Sequence, residues 1–108
     1  MVLRLIKEEI ERFRERKEIY VENIKKIARK YNLKCYLFGS RARGESTPSS
    51  DMDILVILPE KLWGLRWKIY DEMRKACEDN AFVEIHVIHE EVFKETKRLY
   101  GKLVQINQ

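Results

Sequence analysis

The chain has 108 residues, with 22 basic and 18 acidic side chains and a net charge of +4. That length suits one domain with a single core and is too short for two. The mild positive charge would help attract a small anion, and it argues against nucleic acid as the partner because it is not a dense basic stripe.

Residues 2–31 carry apolar side chains at helical spacing: Leu3, Ile6, Ile10 and Phe13, then Tyr20, Ile24, Ile27 and Tyr31. Between these sets, Arg14 to Glu18 is fully charged. The pattern predicts either one long helix with a solvated middle or two helices meeting there. Asn32 is a plausible stop. Lys34 to Phe38 reads as a strand. Met52 to Leu58 reads as a second strand, rich in β-branched residues and ended by Pro59. Leu62 to Asn80 is expected to form a second long helix. Its Leu62, Leu65, Ile69, Met73 and Ala76 make one apolar stripe, and Trp63, Trp67 and Tyr70 make another. The second stripe fits either an extended core or a protein-binding surface, where Trp and Tyr are favoured anchors. A strand over 81–88, a helix from Glu90 to Tyr100 stopped at Gly101, and a short edge strand or tail over 103–106 complete the reading.

No apolar run approaches membrane-spanning length, and the charged N-terminal helix is unlike a signal peptide. Cys35 and Cys77 lack metal-ligand spacing and read as reduced structural thiols. A cytoplasmic protein with no membrane partner is therefore expected.

Chemistry concentrates in two short stretches. Gly39-Ser40-Arg41-Ala42-Arg43-Gly44 follows the first strand, and Asp51-Met52-Asp53 opens the second. A strand feeding a helix start through glycine lets backbone N–H groups approach a phosphate. Ser40 adds a hydroxyl donor, and the forks of Arg41 and Arg43 suit phosphate oxygens. Taken alone, Gly39-Ser40 also fits an ordinary helix cap. Asp51 and Asp53, two apart, share one strand face. Such a pair invites a divalent cation, although each residue also fits a turn. Ten residues separate Ser40 from Asp51, and the combined pattern is specific where its halves are not. In the later strand, Glu84 and His86 share a face opposite Val83, Ile85 and Val87. A charge in an apolar run needs a partner. Glu84 is a candidate third carboxylate, the other reading being a surface-facing edge position. His86 reads better as a hydrogen-bonded wall residue than as a ligand.

These motifs resemble the signature of the DNA polymerase β-type nucleotidyltransferases, and within them the minimal nucleotidyltransferases (MNT). The resemblance implies an α+β fold, with a mixed β-sheet flanked by helices. It implies two magnesium ions and transfer of a nucleoside monophosphate from a triphosphate, ATP being the expected donor, to a hydroxyl. Gly39 and Ser40 would hold the β- and γ-phosphates. Asp51 and Asp53 would bind both metals. Glu84, where the family more often has Asp, would bind the catalytic metal and orient or deprotonate the acceptor. The resemblance further implies a helical HEPN-type partner, with the MNT acting as the antitoxin that adenylylates it. A second copy of this chain is the other partner considered. Neutralisation by contact alone and transfer to a small molecule such as an aminoglycoside are the alternatives.

Overall fold

The computed structural model of the protein describes residues 2–39, Gly44 and residues 51–107. The elements in order are α1 (Val2–Tyr31), β1 (Lys34–Phe38), β2 (Met52–Leu58), a 3₁₀ segment (Glu60–Leu65), α2 (Arg66–Ala76), β3 (Val83–His89), α3 (Glu90–Thr96), a 3₁₀ turn (Lys97–Tyr100) and β4 (Val104–Gln105). The strands form one mixed sheet in the order β3-β2-β1-β4. β1 runs antiparallel to β2 and β4, and β3 runs parallel to β2. The fold class is therefore the expected α+β arrangement.

α1 is one helix, which settles the alternative left open by its charged middle. Val2–Tyr31 contains no Gly or Pro to interrupt it. Its charged middle is not wholly solvated, because Arg16 reaches Glu78 after α2. Nε lies 2.8 Å from Oε1 and 2.7 Å from Oε2. The Tyr20 hydroxyl donates to the same carboxylate. α1 stops at Asn32, whose φ of 56° suits asparagine better than most residues. There the Leu33 N–H reaches back to the Ala28 carbonyl at 2.8 Å.

β2 is buried on both faces, which explains its nearly continuous apolar sequence. Met52, Ile54, Val56 and Leu58 join Phe13, Tyr20, Ile24 and Ala28 of α1 and Ile69 and Met73 of α2 in the main core. Each fully buried aliphatic side chain there contributes about 1.5–3 kcal/mol relative to exposure. On the opposite face Leu55 and Ile57 are also buried. α3 packs on that side, where Phe93 stacks with Tyr36 and Tyr100 meets Phe38 edge-on.

The expected Leu62–Asn80 helix is split and shortened. Its beginning is 3₁₀, and it ends at Ala76. Glu78 and Asp79 take positive φ values of 56° and 52°, with Glu78 engaged by Arg16 and Tyr20 of α1. Arg74 donates to the carbonyls of Val83 and Asn80, tying the helix end to the start of β3. Asn80 is fully buried. Its amide donates to the Glu9 carbonyl and its oxygen accepts the Phe82 N–H. The last helix is also split, α3 passing into 3₁₀ at Lys97 beside Thr96, whose hydroxyl donates to the Val92 carbonyl. Among the described residues no helix is long and apolar enough to cross a membrane.

Candidate active site

Strand register builds the site. β1 and β2 pair Phe38 with Asp53, and β2 and β3 pair Asp53 with Glu84. Asp53 is thus flanked by the end of β1 on one side and by Glu84 on the other. His86, two residues along β3, projects from the same face as Glu84.

Gly39 follows immediately with φ of 77°. A Cβ at this position would lie 2.7 Å from Asp53 Oδ2. The glycine therefore has a role that its sequence context did not reveal: it lets the backbone pass directly against the Asp53 carboxylate. Positive φ and this close approach independently favour glycine.

Asp53, Glu84 and His86 each place one donor atom within 4.8 Å of the others. His86 Nε2 is 3.5 Å from Asp53 Oδ1 and 3.5 Å from Glu84 Oε2. The imidazole meets the Phe38 ring edge-on, at 5.1 Å between centroids. Asp53 is half-buried, while Glu84 and His86 are exposed. Two carboxylates and an imidazole converging at this distance form a donor set fit for a divalent cation. His86, read from the sequence as a hydrogen-bonded wall residue, stands 3.5 Å from both carboxylates, a place that suits a wall residue or a ligand.

Asp51 stands one residue ahead of β2 and is exposed. Glu84 sits beside Asp53, exposed on the edge strand β3. Ser40, Arg41 and Arg43 lie outside the described residues, as does the expected short helix there. His89 caps α3, its Nδ1 accepting the Glu91 N–H at 3.0 Å.

A second feature borders β3 on the opposite face. Trp63, Arg66, Trp67, Tyr70, Ile85 and Val87 line a groove of about 310 Å³. The Arg66 guanidinium lies 4.9 Å from the Trp63 ring centroid and 5.8 Å from that of Trp67. Trp63 and Tyr70 pack against the core, whereas Trp67 is 72% exposed. The aromatic stripe therefore divides between core and surface.

The sheet, its flanking helices and the carboxylates at the β1–β2–β3 junction define a nucleotidyltransferase architecture. A family model for polymerase β nucleotidyltransferases matches residues 22–105, and the chain belongs to that family. Among solved structures, it is similar to a protein of Sulfolobus solfataricus named as a candidate nucleotidyltransferase. The TM-score is 0.50 at 22% identity, covering 93% of this chain and 84% of that one. At that identity the likeness speaks for the fold alone. Among curated proteins, none matches.

Proposed function

We propose that residues 1–108 form one minimal nucleotidyltransferase domain that transfers a nucleoside monophosphate, AMP from ATP, to an acceptor hydroxyl with magnesium. The observation that carries this reading is the convergence of Asp53 and Glu84 beside the Gly39 turn, in a chain of the polymerase β family. Two magnesium ions, when bound, would supply charge neutralisation at the α-phosphate. Asp51, Asp53 and Glu84 are the carboxylates proposed to hold them. Gly39 and Ser40 are the residues proposed to bind the β- and γ-phosphates, with Arg41 and Arg43 as further proposed phosphate donors. The acceptor oxygen forms a bond to the α-phosphorus as the bond to the bridging oxygen breaks and pyrophosphate leaves. Glu84 orients the acceptor hydroxyl and takes its proton. Positioning and charge neutralisation supply the rate enhancement.

The proposed acceptor is a side-chain hydroxyl on a helical HEPN-type partner, with this chain as the antitoxin of the pair. Exposed Trp67 beside the Arg66 groove supports a docking face for it, with a second copy of this chain as the competing occupant. A cytoplasmic setting fits Cys35 and Cys77, which are free and buried. The contact-only alternative draws on one observation: the third carboxylate is the longer, exposed Glu84.

The test is label transfer from α-phosphate-labelled ATP with magnesium and a co-expressed partner, comparing wild type with Asp53→Asn. Labelled protein in the wild type alone is expected. A stable complex that never acquires label would refute catalysis and leave neutralisation by contact.

A further inference from the structure

His86 has no place in the transfer reaction just described, yet its imidazole stands beside two of the three carboxylates proposed to hold the metal. Nε2 is equidistant, at 3.5 Å, from one oxygen of Asp53 and one of Glu84. Neighbouring donors around an octahedral ion with bonds of about 2.1 Å lie about 3.0 Å apart. The His86 distances are therefore within about half an ångström of a coordinated arrangement. The side chains of His86 and Glu84 are 44% and 52% exposed, so small rotations can close that gap. Phe38, packed against the ring at 5.1 Å, limits how far the imidazole can swing away.

We infer that His86 is a direct nitrogen ligand in this centre, and that its imidazole gives the Asp53–Glu84–His86 set added affinity for a first-row transition ion such as manganese(II), beside the magnesium proposed for transfer. The inference rests on the reading of the site as a metal-dependent transfer centre and names a property of that same site. The physical reason is ligand chemistry. Magnesium prefers oxygen donors and keeps several of its waters. An imidazole nitrogen adds affinity for borderline ions, while two carboxylates still suit manganese. An all-carboxylate set would lack this source of discrimination.

The chain has two histidines, which makes the test direct. His89 serves as the internal control, because its Nδ1 already accepts the Glu91 N–H and its Nε2 lies 3.4 Å from Glu60. Manganese(II) alone is added to the full chain, without nucleotide, and directly bound nitrogen is read by pulsed electron paramagnetic resonance. Protein labelled with ¹⁵N only at histidine is compared with unlabelled protein. The expected result is a histidine nitrogen coupling that survives His89→Ala and disappears in His86→Ala. Manganese affinity should fall at least about tenfold in His86→Ala, the lower end of the cost of losing even an outer-sphere partner. Magnesium affinity, read by competition, should change less.

Manganese bound without any histidine coupling would overturn the inference and leave the proposed transfer centre standing. A coupling lost in His89→Ala instead would overturn it as well. If neither ion binds the wild type, with or without a non-hydrolysable ATP analogue, both readings fall. Should His86→Ala misfold, the isotope comparison on the wild type and on His89→Ala still decides the matter.

Discussion

Replacing Gly39 with alanine tests whether the turn after β1 is built around Asp53. Two costs follow from the geometry. At φ of 77° a Cβ is strained, which costs about 1–2 kcal/mol. For a domain of this size that lowers Tm by roughly 4–16 °C, at about 4–8 °C per kcal/mol. The second cost falls on the site. The new Cβ would lie 2.7 Å from Asp53 Oδ2, whereas ordinary contact begins at 3.4 Å. The carboxylate or the turn must give way by about 0.7 Å, the difference of those two distances. A misplacement near 1 Å at a reacting centre costs on the order of 10²-fold in rate. Gly101→Ala is the matched control, because φ there is 69° and nothing lies within 4 Å of its would-be Cβ. Both variants should lose stability, but only Gly39→Ala should lose manganese binding and label transfer. Melting curves, titration calorimetry and the transfer assay read the three quantities. Equal metal affinity in the two variants would refute the close approach as a determinant of the site.

Three further outcomes are expected. Asn80→Ala removes the partner of the half-buried Phe82 N–H and leaves a gap where Asn80 was fully buried, and should cost about 1–3 kcal/mol; urea titration should show a lower midpoint with unchanged slope. Glu72 and Glu78 are held below their ordinary value of 4.5, chiefly by hydrogen bonds from Lys30 and Arg16 respectively. The stability they contribute is present above pH 4.5 and is lost as pH falls through their lowered folded values. Tm measured through the acid range should fall less steeply in Glu72→Gln and Glu78→Gln, and an unchanged acid limb would contradict the pairing. Burial pushes the thiols of Cys35 and Cys77 up to about 12. Both should resist a thiol-reactive dye at pH 8 until denaturant unfolds the chain, so rapid labelling of the native protein would argue against their burial.

Local signals carried most of the architecture. A β-branched apolar run ended by Pro59 marked β2, and the facing of Glu84 and His86 on β3 followed from period-two geometry alone. What escaped was set by contacts distant in the chain. The end of α2 depends on Arg16 and Tyr20, about sixty positions earlier, and no property of Glu78 itself announces that contact. The role of Gly39 against Asp53 arises from the antiparallel pairing of β1 with β2, whereas the sequence alone offered a phosphate cradle or an ordinary helix cap. His86 was visible on the correct face, but its convergence on Asp53 required the parallel register of β2 and β3.

α1 extends beyond the body that supports it. Its first buried side chain is Phe13, and Glu9 is bonded to Asn80 and Ala81, while Val2, Leu3, Leu5 and Ile6 all stand exposed. A helical segment this short is marginal without packing, so the first two turns keep their helicity only because the remainder of α1 nucleates them. Amide hydrogen exchange should therefore form a gradient along one uninterrupted helix. Protection should be slight through residues 2–8, rise from Glu9, and approach the global unfolding limit at Tyr20 and Ile24.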